Sequence, residues 1–161
     1  MKHNLKNNCE VELTAAATEV AIAILHCDDR VLLQLRDDNP EIIYPGHWAF
    51  FGGHLEPGET PEIAMQRELL EEIGYQPAVL VPFRSYTTDS LIIRHVFSAP
   101  LLVKLESLEL NEGMDLGLAT LADIHQGHCY SQRLGEIRPI SHPHQQILLD
   151  FYLEQGKASP D

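Results

Sequence analysis

Glu68, Glu71 and Glu72 fill three of five consecutive positions within RELLEEIG, Arg67 to Gly74. Carboxylates at that density can hold a hard divalent cation or exchange protons with water, and either use must outweigh their mutual repulsion. Glu68 and Glu72 stand at i,i+4, where like charges cost ~0.2–0.5 kcal/mol on a helix. The trio also falls in the C-terminal half of the predicted helix, where the macrodipole would favour Lys or Arg by ~0.3–1 kcal/mol. A solvated face on an amphipathic helix accounts for any one of these glutamates but not for their clustering. A Mg²⁺ ion, or Mn²⁺ in its place, reverses both penalties, because carboxylate oxygens are hard ligands.

The residues upstream are consistent with a phosphate site. Gly52-Gly53 and Pro57-Gly58 allow tight turns in which peptide groups approach a ligand closely. Glu56 and Glu59 can coordinate metal or pair with Arg67. The guanidinium fork suits a bidentate grip, so Arg67 is predicted to fix Glu59 or Glu71.

Hydrophobic patterning supplies the elements that must position these groups. Thr18–Cys27 predicts a strand covered on both faces, Asp28-Asp29 a turn, and Arg30–Asp37 a hairpin partner. HWAFF, His47 to Phe51, predicts a short buried strand. Thr60 as N-cap, Pro61 at the first turn and Gly74 past the end delimit the acidic helix. At ~100° per residue, Ile63, Leu69, Leu70 and Ile73 are expected on one side and the three glutamates on the other, above Ala64. Pro77–Tyr86 and Leu91–Val103 read as a second hairpin around TTDS, with Pro82 and Pro100 at bulges or edges. Ser141 can cap a terminal helix closed by Gly156. Paired strands with a central and a terminal helix predict an α/β domain whose mixed sheet is covered on both faces.

Composition bounds the possibilities. With 161 residues, 44% of them hydrophobic, one domain over 1–161 suffices, with a core of about 17–155 between a polar leader and tail. A net charge of −13 argues against long nucleic acids, whose phosphates meet a repulsive field. A small phosphorylated nucleotide bound through a cation remains compatible. Glu10, Glu12 and Glu19 interrupt any signal-peptide core, and the apolar run Val20–Leu25 is too short to span a bilayer. No membrane and a cytoplasmic location are therefore expected, with a homodimer left open. Cys9, Cys27 and Cys129 are odd in number and widely spaced, as free thiols would be.

The segment from Gly53 to Tyr75 resembles the Nudix box of the Nudix hydrolases. Gly53, five residues, Glu59, seven residues, Arg67-Glu68-Leu69, one residue, Glu71-Glu72, one residue and Gly74 match each fixed position of that signature. Tyr75 stands where the family usually has an aliphatic residue, a departure that concerns packing. The resemblance implies an α/β/α sandwich with a central mixed sheet. It also implies hydrolysis of the pyrophosphate bond of a nucleoside diphosphate linked to another moiety, using Mg²⁺ or Mn²⁺. Carried over by position, Glu68, Glu71, Glu72 and the Gly53 carbonyl are implied metal ligands, with Glu56 a ligand in some members. Arg67 and Glu59 are the implied orienting pair. Glu71 or Glu72 is expected as general base, with Glu112, and also Glu109 and Asp115, as candidates outside the box. A catalytically silent, nucleotide-sensing module of the same fold is the alternative.

Other residues carry weaker signals. Trp48, Phe50 and Phe51 are expected in the core. Arg36, Arg84 and Arg94 read equally as phosphate contacts or as ion-pair partners. His125 and His128 lack a cysteine motif to complete a zinc site, and His142 and His144 read as surface residues. Cys129 has no dedicated base in the sequence.

Overall fold

The computed structural model describes residues 17–87 and 91–157. The N-terminal leader with Cys9, and most of the TTDS turn, lie outside the described residues. Strand β1 (Thr18–Cys27) turns through Asp28, at φ 53°, into β2 (Arg30–Leu35), and the two pair antiparallel with Leu25 opposite Leu32. Side chains of β1 alternate between two cores with the period of a strand. Ile22 and Ile24 enter one, while Ala21, Ala23 and Leu25 enter the other.

The single strand expected from HWAFF is two strands, β3 (Trp48–Ala49) and β4 (Phe51–His54), with different partners. β3 pairs with β2, and β4 pairs with the N-terminal half of β1. Phe50 marks the break, because its N–H donates to His144 Nδ1 at 3.0 Å and its carbonyl accepts from Gln34 Nε2 at 3.1 Å. Side chains thus satisfy the peptide groups that a continuous ladder would have used.

Helix α1 (Pro61–Ile73) has the predicted caps: Thr60 accepts from the Ile63 N–H, and Gly74 adopts φ 65°. β5 (Val81–Thr87) and β6 (Ile92–Pro100) form the second hairpin, with a register shift between Pro82 and Arg84 on the edge strand. β6 runs parallel to β1, which makes the sheet mixed. Five elements were not delimited from the sequence: a 3₁₀ turn (Leu105–Ser107), β7 (Asp115–Ala119), which pairs with β2, α2 (Leu121–Gln126), and the ribbon of β8 (His128–Ser131) and β9 (Glu136–Pro139). Helix α3 (His142–Glu154) closes the described chain, although the Ser141 side chain makes no capping bond. The order across the sheet is β3-β2-β1-β6-β5, with β4 and β7 attached to β1 and β2. α1 covers one face through Met65, Leu69 and Ile73, and α2 and α3 cover the other through Ile124, Leu148 and Phe151. The architecture is therefore an α/β/α sandwich around a mixed sheet, as expected. Among the described residues no helix is long and apolar enough to cross a membrane.

The face assignment on α1 needs correction. Ile63 is 56% exposed and Leu70 48%, whereas Glu72 is 3% exposed. At ~100° per residue Glu72 falls between Ala64 and Leu69, inside the stripe that packs on the sheet. The buried face is set by Ala64, Met65, Leu69 and Ile73, so the acidic arc overlaps the core side instead of opposing it. Tyr75 packs as expected; its hydroxyl donates to the Pro100 carbonyl at 3.1 Å and accepts from the Leu102 N–H at 3.3 Å.

Candidate active site

Gly52 and Gly53 lie within β4, opposite Ile22 and Ala21, and do not form the turn expected of them. Close approach is nevertheless what they provide. A Cβ on Gly52 would sit 2.0 Å from the Ala21 carbonyl oxygen, and one on Gly53 would sit 2.6 Å from Glu68 Oε1. The absent side chains let α1 lie close enough for its carboxylates to reach the strand. The Gly52 N–H donates to Glu72 Oε2 at 3.2 Å.

Arg67 organises the outer part of the cluster. Its Nε and Nη2 donate to the two oxygens of Glu59 at 2.8 Å each, the bidentate grip predicted above. Nη1 donates to Glu68 at 3.0 Å and to Glu71 at 3.3 Å, and Nη2 also donates to the His54 carbonyl at 3.2 Å. The bonds from Arg67 to Glu59, with the backbone N–H of Glu56, hold the Glu59 carboxyl down at about 2. Glu56 itself lies 3.9 Å from Arg67 with a side chain 65% exposed.

Glu112 is brought in by the free end of α1. The last carbonyls of a helix have no partner within it. Here the N–H groups of Glu109 and Asn111 donate to the Ile73 and Glu72 carbonyls at 3.0 Å each, and Asn111 Nδ2 donates to the Glu71 carbonyl at 2.9 Å. That stitching sets the next residue, Glu112, into a cavity of about 500 Å³ whose wall also includes Gly53, Glu56, Arg67, Glu68 and Glu72. Burial, then the charges of Glu112 and Glu68, push the Glu72 carboxyl up to about 9 against the opposing Gly52 N–H. Burial and Glu68 raise Glu112 as well.

The other sequence candidates are sorted by their surroundings. Glu71 and Glu59 are outside the cavity lining, tied to Arg67. Asp115 is structural: it accepts from Ser131 Oγ at 2.6 Å and from the Arg133 N–H at 3.3 Å. Glu109 accepts from Asn111 at 3.1 Å, away from the cavity. Arg84 pairs with Asp150 and Glu154, whereas Arg36 and Arg94 line the cavity. Cys129 is buried, with a thiol that desolvation pushes up to about 12, which favours its protonated form.

His144 reverses the surface expectation. Its ring stacks on Phe50 at 4.9 Å, its Nδ1 accepts the Phe50 N–H, and burial together with Arg94 and Arg36 pushes it down to about 3. The signal was present in the sequence, since His144, Ile147, Leu148 and Phe151 make an i, i+3, i+4, i+7 stripe. Ile43 and Tyr44 complete the cavity from a loop with no such pattern. That loop is held at Asp38 by Arg138 of β9, at 3.2 and 3.3 Å, and Tyr44 takes a left-handed φ of 52°.

The donor set suits a hard divalent cation: carboxylate oxygens crowd a wall where Glu72 lacks compensating positive charge. Among the described residues, however, no three His, Cys, Asp or Glu side chains are gathered tightly enough to enclose an ion.

Fold and cavity together define an α/β/α sandwich protein with an acid-lined cleft beside its first helix. The NUDIX domain family model matches residues 17–130, and the chain belongs to that family. Short segments are similar to the nucleoside triphosphatase NudI of Enterobacter sp., 56% identical over 32 residues, or 20% of this chain and 23% of that protein. NudI of Escherichia coli O1:K1 is 46% identical over 46 residues, 29% of this chain and 31% of that protein. These matches thus span less than a third of either relative. The NUDIX domain of Shewanella oneidensis NrtR, solved in complex with ADP ribose, shares the fold at TM-score 0.68 and 18% identity, over 92% of this chain and 94% of that one.

Proposed function

We propose that the protein is a metal-dependent hydrolase cleaving the pyrophosphate bond of a nucleoside diphosphate linked to another moiety: a nucleotide, nucleotide sugar or ADP-ribose type of substrate. The observation that carries this reading is Glu72, a buried carboxylate of raised proton affinity on a cavity wall shared with Glu68 and Glu112. In this reading Glu68, Glu71, Glu72, Glu56 and Gly53 hold Mg²⁺ or Mn²⁺, which when bound neutralises charge on the phosphate oxygens. Glu72 is assigned to take a proton from the attacking water, whose oxygen bonds to phosphorus as the P–O anhydride bond breaks, because Glu72 lines the cavity whereas Glu71 lies outside it, tethered to Arg67. Arg67 and Glu59 position α1 against β4, and Glu112 adds negative charge beside Glu72. The reading also takes the chain as one cytoplasmic domain.

A nucleotide-sensing module of the same fold is the second reading. Incubation with Mg²⁺ and nucleoside triphosphates, nucleotide sugars, ADP-ribose and dinucleoside polyphosphates, followed by product identification, separates the two. Mononucleotide products support hydrolysis, and saturable binding with no product after long incubation supports sensing.

Gly53→Ala tests the close approach. Gly53 has no left-handed φ, so its backbone accepts alanine, but the new Cβ displaces the Glu68 carboxylate. The expected result is a fall in kcat/KM of ~10- to 100-fold, the cost of an ångström-scale misplacement. Thermal melts should change little, because the displaced group is a side-chain end.

A further inference from the structure

We propose that Arg36, Arg94, His144 and Ser141 form a second anion subsite, built by the end of β2, by β6 and by the N-cap and first turn of α3, that receives a phosphoryl group of the substrate. The proposal rests on the hydrolase reading above and names what its substrate must carry.

The first argument is the fate of the cations. The chain has 11 Lys and Arg against 24 Asp and Glu, so almost any arginine can find a carboxylate. Arg67, Arg84, Arg133 and Arg138 each do. By contrast, the Nε of Arg36 and the Nη1 of Arg94 are buried with no hydrogen-bond partner among the described residues, and Arg94 as a whole is only 9% exposed. A buried donor left unmet keeps its full desolvation penalty, which is larger when the group is charged. Both side chains line the cavity, where a ligand can meet that need.

The second argument is the company they keep. The Oγ of Ser141, itself 1% exposed, is likewise buried without a partner on the same lining. Because His144 Nδ1 accepts the Phe50 N–H, the neutral ring carries its proton on Nε2 and remains a donor. Two guanidinium groups, an imidazole N–H and a hydroxyl make a wall rich in donors. Donors from three elements suit a tetrahedral oxyanion with several acceptor oxygens, and guanidinium forks bind phosphoryl oxygens in pairs. The α1 wall is of opposite character, so a substrate bearing phosphoryl groups in both regions spans the cavity with matched charge.

The test is binding without turnover. In EDTA, inorganic phosphate and tripolyphosphate are titrated into the purified protein and followed by calorimetry and thermal shift. Wild type is expected to bind tripolyphosphate, and Arg36→Met/Arg94→Met to lose at least tenfold in affinity while melting at the same or a higher temperature. Arg36→Lys/Arg94→Lys should recover part of that affinity, and Arg84→Met should match wild type. Equal affinity in wild type and the double Met variant, or no binding by wild type, overturns the subsite. A fall in affinity in the Arg84→Met control equal to that of the double variant also overturns it, by showing general electrostatics. If tripolyphosphate binds through Arg36 and Arg94 yet no nucleotide is cleaved with Mg²⁺, the subsite stands and the hydrolase reading falls. If nucleotides are cleaved and the arginines do not matter to binding, the reverse holds.

Discussion

Glu72→Gln is expected to lower turnover by ~10²- to 10⁴-fold while leaving the metal-free fold intact, the range associated with loss of a positioned proton acceptor. Glutamine copies the protonated carboxyl in size and keeps an acceptor for the Gly52 N–H, so packing is preserved. The pH dependence of stability gives a second readout. The folded-state value of Glu72 is about 9 and its ordinary value 4.5, so between those limits the unfolded chain binds fewer protons than the folded one. Stability contributed by this group is therefore fully present below pH ~4.5 and declines as pH rises towards ~9, by at most about 1.4 kcal/mol per pH unit. Urea unfolding in EDTA at several pH values should show that decline in wild type and a flatter profile in Glu72→Gln. Parallel profiles, or a variant with normal turnover, would remove Glu72 from the mechanism.

The second large effect concerns Arg67. Arg67→Met removes the bidentate bond to Glu59 and the bonds to Glu68, Glu71 and the His54 carbonyl together. Losing a group that orients reacting side chains typically costs ~10- to 100-fold, and that fall is expected in kcat/KM with a lower melting temperature. Arg67→Lys should not restore activity, because an ammonium cannot form the fork that spans both oxygens of Glu59. The acid limb also shifts. Glu59 is held at about 2, so its stabilising contribution is present above the ordinary carboxylate value of 4.5 and is lost as pH falls towards about 2. In Arg67→Met that contribution is absent, so stability should be lower above pH 4.5 and should fall less steeply between pH 4.5 and about 2 in acid unfolding curves. A lysine variant with wild-type kinetics would show that Arg67 contributes charge alone.

How far the sequence led depended on the range of the interactions involved. Local signals located α1 to the residue, because Thr60, Pro61 and Gly74 act through the backbone next to them. β1 and β2 were legible because a continuous apolar run and a two-residue turn are also short-range. The exposure of Ile63 and Leu70 was not, since a helical stripe has two readings until the sheet selects one. That choice buried Glu72, the residue on which the proposed chemistry depends. The division of HWAFF required His144, 94 residues from Phe50, to accept the peptide N–H there. β7, β8 and β9 are short, and their pairing partners are set by the rest of the fold. Glu112 was named from its region alone, and its placement follows from how Asn111 and Glu109 meet the carbonyls of α1.

The cavity has two separately anchored sides. One is fixed by glycines in β4 and the Arg67 network, the other by a loop tied at Asp38 to Arg138 and by the first turn of α3. Mutational drift in the Ile43–Tyr44 loop is therefore expected to alter what the cavity accommodates without disturbing the acids of α1. Directed evolution confined to that loop should yield altered substrate preference at undiminished thermal tolerance, whereas libraries in β4 should yield mostly inactive clones.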